Sequence, residues 1–279
     1  MTEGSLDVPT RPRPVEPVRV TVFHTNDMRG HLQAMARLSH YVGRLRLEAE
    51  GEGRRVYFWD AGDACDPSGL EAAARVLDAM GYNLQVLGDH LLATGGVEAV
   101  SDLCLRVEFP ILAANVVDSD GRLPEGLRPS VRIPYSGRRT MGVLGLVTPA
   151  GLAAEGPGVR LLDPVDVARD LVGRMKSQGV APVVVLSHLG LELDRRLVDV
   201  VPGIDLVVGG HSHERLPAGE ARGAALIVHA GPDAEVLGRV DLTLDGVSGS
   251  VIEHQACLLL VPQDEPADEA VIEAGREGG

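Results

Sequence analysis

The chain has 279 residues, 44% of them hydrophobic and 3% aromatic, and a formal net charge of −14. That length allows one large α/β domain or two small ones, with a core built from Leu, Val and Ala because aromatics are scarce. The acidic balance argues against nucleic acid and against an anionic membrane surface as partner; a phosphate ester stays compatible if metal ions reverse the local charge.

Residues 1–17, "MTEGSLDVPTRPRPVEP", carry acids and prolines and no apolar run. They read as a disordered arm, not a signal peptide. No stretch approaches the length of a membrane-crossing helix, and a cytoplasmic location is the default expectation. "VRVTVF" (18–23) is a strand by its β-branched, apolar run. Leu38, Tyr41, Val42 and Leu45 recur at helical spacing, so residues 34–51 form a helix. "RRVYFWDAGD" gives a second strand, and "GLEAAARVLDAMG" a helix that stops at Gly81. "NLQVLGDH" is a third strand, followed by a helix in "GGVEAVSDLCLRV" and a fourth strand in "FPILAANVV". After a Gly- and Pro-rich loop come a strand in "TMGVLGLVTP" and a helix in "DPVDVARDLVGRMKSQG", started by Asp-Pro and ended by Gly179. "APVVVLSHLG" and "IDLVVGGHSH" read as buried strands, and the rest as a β-meander. The first half thus looks parallel and wound with helices, the last sixty residues antiparallel, which suggests two packed sheets with helices outside. The tail from 263 to 279 looks like the start of a helix that then ends.

Cys65, Cys104 and Cys257 are too far apart for a disulfide framework or a zinc finger, and they suit a reducing compartment. Each reads as a small buried hydrophobe; only Cys65 lies beside a polar motif. There is no G-x-S-x-G elbow, no P-loop around the single lysine, Lys176, and no G-x-G-x-x-G after the first strand.

The chemistry gathers at strand ends. The first strand ends in Asn26-Asp27, the second in Asp60 and Asp63, the third in Asp89-His90; "VVVLSH" ends in His188 and "LVVGGHSH" in His211 and His213. Each piece alone has a bland explanation: a strand-end Asp forms turns or caps helices, and a lone His such as His40 or His229 is usually structural. Five such ends in order are different. Sites in open α/β sheets lie outside the carboxyl ends of strands, and mixed carboxylate and imidazole ligands suit a divalent metal.

With "VFHTNDMRGHL", "DAGD", "LGDH", "FPILAANVVD", "MGVLGLVTP", "VVVLSHLG", "VPGIDLVVGGHSH" and "LGRVDLTLDG" on the page, the chain resembles the calcineurin-like metallophosphoesterases, and within them the N-terminal catalytic domain of the 5′-nucleotidase group. The resemblance runs from about Val18 onward. It implies an α/β fold, a four-layer αββα sandwich over residues 18–262, with 263–279 as the beginning of a connecting helix. It also implies one or two divalent ions (Mn, Zn, Fe or Co) and a small phosphorylated substrate. Carried over by position, Asp27, Asp63 and His213 would hold the first ion and Asp63, Asp89, His188 and His211 the second, with Asp63 bridging. Two cations roughly 3.5–4 Å apart would clamp a phosphoryl displacement and activate a water, while His90 would face the phosphate and assist the leaving oxygen.

The chain departs from the family pattern in telling places. The pattern's first motif is Asp-x-His; here it is Asp27-Met28-Arg29. Arginine has no lone pair to offer a metal and stays charged. The pattern's Gly-Asn-His-Glu is "GDHL", and the Asp that would orient the His is Ala93. Three explanations compete for Arg29. It stands where the first cation would and contacts phosphate directly; or His31 swings in as a substitute ligand; or the site has decayed. Two functions follow. One is a metal-dependent phosphoester hydrolase for a small phosphomonoester, nucleotides included, with one metal site weakened by Arg29. The other is a degenerate phosphatase fold that binds metal or phosphate as a regulatory module. Metal content separates them.

Overall fold

The computed structural model describes residues 16–64, 69–137, 139–148 and 158–276. Most of the expected disordered arm, and Cys65, lie outside the described residues. The elements, in chain order, are β1 (Val18–Thr25), α1 (Leu32–Gly51), β2 (Arg55–Asp60), α2 (Leu70–Met80), β3 (Leu84–Val86), α3 (Asp89–Arg106), β4 (Ile111–Leu112), β5 (Val116–Asp118), β6 (Ser130–Ser136), β7 (Arg139–Val147) and β8 (Val159–Leu161). They continue with α4 (Pro164–Ser177), β9 (Val183–His188), α5 (Leu191–Val200), β10 (Leu206–Gly209), β11 (Glu220–Arg222), β12 (Ala225–His229), β13 (Val236–Leu244), β14 (Val251–Leu260) and α6 (Glu269–Arg276).

Two six-stranded sheets stack face to face. The first runs β14-β13-β1-β2-β3-β4 and the second β11-β12-β10-β9-β7-β6. Strands β1 to β4 run parallel to one another, as do β7, β9, β10 and β12. β9 shows why its sequence is a continuous apolar run: Val184 and Leu186 face the core between the sheets, and Val183 and Val185 face the layer under α4 and α5. A strand buried on both sides has no polar face to show. α1, α2 and α6 cover the first sheet, α4 and α5 the second. This is the α/β, αββα sandwich that the motifs implied.

The helix punctuation follows the local chemistry. Asp163 caps α4 by accepting from the backbone N–H of Val165 and Asp166, with Pro164 at the first helical position. Gly81 ends α2 in the left-handed region at φ 73°. Three expectations need correction, and one helix was not expected. The residues read as one β-meander divide between the sheets: β12 lies parallel to β10, whereas the β13–β14 hairpin joins β1 of the other sheet. "FPILAANVV" divides into β4 and β5, and β5 pairs with β8 in a separate ribbon. The supposed Gly/Pro-rich loop contains β6, an edge strand that tolerates Pro134 beside a register shift. "LELDRRLVDV", to which no element was assigned, is α5.

The segment after β14 turns back onto α1. Asp268 accepts from the Ser39 hydroxyl at 2.9 Å, Glu265 pairs with His40 at 2.8 Å, and Val271 of α6 is fully buried. On the other side, α5 is tied to the second sheet by a buried polar knot. Asp194 lies 2.8 Å from His229 Nε2 and accepts from the Ser187 hydroxyl, and none of the three is exposed. Removing one partner of a buried hydrogen bond leaves the other unsatisfied and costs roughly 1–3 kcal/mol. Asp194→Ala strands both His229 Nε2 and the Ser187 hydroxyl and is therefore expected to lower stability by roughly 2 kcal/mol or more, read as a fall in the urea unfolding midpoint.

Candidate metal centre at the strand ends

His188 ends β9 and Asp89 opens α3, while the other ligand-type side chains leave strand ends in tight turns. Asp27, Arg29, Asp63, His211 and His213 all have positive φ, between 53° and 73°. Asp and His are among the residues that tolerate this region, and such residues cluster at functional sites. The first two turns are fastened together: Asp27 N–H donates to the Gly62 carbonyl at 2.9 Å, and Arg29 N–H to the Asp63 carbonyl at 3.0 Å. Gly62 and Gly88 keep the floor open, since a Cβ on Gly62 would strike the His188 ring and one on Gly88 the Asp63 carboxylate. Across the gap, the Asn26 amide donates to Asp27 Oδ2 at 2.7 Å, and its carbonyl accepts from the backbone N–H of Ala230 and Gly231.

The structure brings all eight predicted site residues into one connected cluster. His188 is the hub. Its Nδ1 lies 2.7 Å from the Ala61 carbonyl, to which an Nδ1–H donates, so Nε2 faces the carboxylates. Nε2 lies 3.1 Å from Asp89 and 3.4 Å from Asp63. His211 Nδ1 is 3.4 Å from the same Asp89 oxygen. His213 Nε2 is 3.3 Å from Asp27 Oδ1, and Arg29 Nη2 is 3.0 Å from that imidazole nitrogen. His90 Nδ1 is 3.5 Å from Asp63 Oδ2. The floor is buried and anionic, with Asp27, Asp63 and Asp89 each at most 8% exposed, while Arg29 and His90 stand exposed at the rim. His31 does not enter; it pairs with Asp233 at 3.6 Å.

The electrostatics report the same crowding. Burial alone would lower the His188 pKa, but hydrogen bonds to Asp63 and Asp89 and the nearby Asp27 charge raise it well above the ordinary value. Burial alone would raise the Asp89 pKa; its contacts with His188 and His211 outweigh this and hold it far below the usual carboxylate range. Ligand-type atoms approach closely enough for a shared ion in three groups among the described residues: Asp89–His188–His211, Asp27–Asp63–His188 and Asp63–Asp89–His90. Asp89, His188 and His211 form one set of mixed carboxylate and imidazole donors that suits a divalent ion, and Asp63 lies beside it, 3.4 Å from His188 Nε2.

Three supports have contacts that the sequence did not show, although Asn26 and Asp60 stood at the strand ends it singled out and His229 read as structural. Asn26 bridges two turns that are far apart along the chain, a role invisible without the fold. Asp194 with His229 and Ser187 holds the ends of β9 and β12, and no spacing rule links them. Asp60 lies under the second turn, where it accepts from Thr25, Gln85 and the Gly62 N–H.

Two stacked mixed sheets with outer helices and a rim of aspartates and histidines are the calcineurin-like phosphoesterase fold, and the similarities agree. The 5′-nucleotidase of Diplobatis ommata is 30% identical over 229 residues, 74% of this chain and 39% of that protein. The uncharacterized metallophosphoesterase YunD of Bacillus subtilis is 24% identical over 245 residues, 84% of this chain and 52% of that protein. Among solved structures, the calcineurin-like phosphoesterase YfkN from Bacillus subtilis matches with a TM-score of 0.80 at 18% identity, covering 94% of this chain and 97% of that one. The 5′-nucleotidase precursor from Thermus thermophilus matches with a TM-score of 0.75 at 26% identity, over 92% of this chain and 57% of that one. No family model matches the chain. It is a homologue of 5′-nucleotidases and metallophosphoesterases, and it spans about half or less of the length of these curated relatives.

Asp60 gives a pH prediction. Burial lifts its carboxyl to about 7 against the opposing hydrogen bonds. A folded-state value above the unfolded one, near 3.9, means the folded chain binds more protons in that window, so stability falls as pH rises from about 4 to about 7. Asp60→Asn removes this proton uptake and should flatten the urea midpoint between about pH 4 and about pH 7; an undiminished slope in the variant would contradict the assignment.

Proposed function

We propose that the chain is a metal-dependent phosphoester hydrolase acting on small phosphomonoesters, with nucleoside monophosphates the first class to test. The observation that carries this reading is the convergence of Asp63, Asp89, His188 and His211 from four strand ends of two sheets. These four side chains are the ligands for a divalent ion. When bound there, such an ion supplies Lewis acidity and lowers the pKa of a water to near neutrality. The residues around it do the rest. Asp89 and Asp63 orient His188 and His211 through the contacts given above. His90, exposed near the start of α3, is placed to give a proton to the leaving oxygen. Arg29 donates N–H groups to the phosphoryl oxygens. The Asp27–His213 position is weakened as a metal site by Arg29. Residues 18–262 form the unit that carries this chemistry.

A second reading is a metal- or phosphate-binding regulatory module. Its motivation is local: residue 93 is an exposed alanine, so His90 has no carboxylate to orient it from that position, and its side chain is 52% exposed.

The deciding experiment is turnover of a chromogenic phosphomonoester and of nucleoside monophosphates with Mn²⁺, Zn²⁺, Fe²⁺ or Co²⁺. Turnover should vanish with a chelator. Loss of a group that only supports a ligand already costs about 10–100-fold, so Asp63→Ala should lower turnover by more than about 100-fold. No turnover with any ion, while metal still binds, would favour the regulatory module.

A further inference from the structure

Arg29 and His213 meet where the anionic floor opens to solvent. The guanidinium has five N–H donors and no acceptor. At 3.0 Å from Arg29 Nη2, His213 Nε2 must therefore be the acceptor, and its lone pair is engaged. That nitrogen is also the atom that faces Asp27, at 3.3 Å. Arg29 thus occupies the nitrogen that a metal ion at the Asp27–His213 position would need. His213 joins none of the groups of ligand-type atoms found among the described residues, whereas Asp27 groups with Asp63 and His188. His213 is also the one side chain that hydrogen-bonds the Arg29 guanidinium among those residues, which leaves further N–H donors on an exposed group.

We infer that the Arg29 guanidinium is a built-in cation at the Asp27–His213 position. The chain then takes up one exchangeable divalent ion, and Arg29 binds a phosphoryl oxygen of the substrate through its remaining N–H groups. This rests on the phosphoester-hydrolase reading. Its physical content is a trade: a guanidinium cannot dissociate and offers directional, charge-assisted hydrogen bonds, but it cannot lower the pKa of a water as a second ion would.

The test is a metal count on protein stripped with chelator, loaded with Mn²⁺ or Zn²⁺ and desalted, with circular dichroism to confirm folding. Wild type should hold one equivalent. Arg29→His, which exchanges the cation for an imidazole lone pair, should hold two. Arg29→Ala in the loaded state should bind inorganic phosphate about tenfold more weakly or worse by calorimetry, the effect of losing a hydrogen bond to a charged group. Two equivalents in wild type, one equivalent in a folded Arg29→His, or unchanged phosphate affinity in Arg29→Ala would each overturn the inference. Failure of phosphoester turnover is a separate result: it strikes the hydrolase reading, while metal count and phosphate affinity still decide the role of Arg29. No bound metal at all would overturn both.

Discussion

Three buried carboxylates meeting at the end of a sandwich are the constraint on which the rest of the structure depends. Asp27, Asp63 and Asp89 arrive on three successive turns of the first sheet, and water is largely excluded from all three. Like charges at such separations repel strongly in a low-dielectric setting, so positive charge must be drawn in among them. Arg29 brings a fixed positive charge on the turn after β1, and the opposite sheet brings imidazoles: β9 delivers His188, and the turn after β10 delivers His211 and His213. The carboxylates come from one sheet and the imidazoles from the other, which is why the site lies on the seam.

That seam also explains what was legible in the sequence. The strand ends could be read because parallel strands buried on both faces are unbroken apolar runs, and the polar residue after each run stands out. The order of Asp27, Asp63, Asp89, His188, His211 and His213 along the chain therefore carried most of the site. The helix stops at Gly81 and Gly179 were equally plain, since a left-handed terminus asks for glycine. Other features depend on contacts between distant residues and left no local trace. β12 and β13 are both short apolar or alternating runs near the end of the chain, yet they join different sheets. The Asp194–His229 pair looks like two unrelated polar residues until α5 is laid on β12. Asn26 reads as a turn former and proves to be a brace.

The departures from the family pattern are physically coherent when taken together. Arg29 adds one positive charge at the rim, and Asp89, standing where the pattern has an asparagine, adds one negative charge at the floor. Leu91 and Ala93, standing where the pattern has a glutamate and an aspartate, each remove one negative charge, so the rim around the carboxylates is less negative than the pattern. His90, without a partner at position 93, turns its Nδ1 toward Asp63.

The left-handed turns have a consequence for which sequences this rim can tolerate. Asp and His adopt positive φ with little penalty, so at Asp27, Asp63, His211 and His213 the backbone favours the same residue types that the coordination chemistry does. Drift at those four positions is filtered twice. Arginine enjoys no such allowance: a bulky side chain held at φ 53° carries a conformational cost of order 1–3 kcal/mol. At this one position the two filters oppose each other, and among natural variants glycine or asparagine should turn up at residue 29 wherever the guanidinium is dispensable.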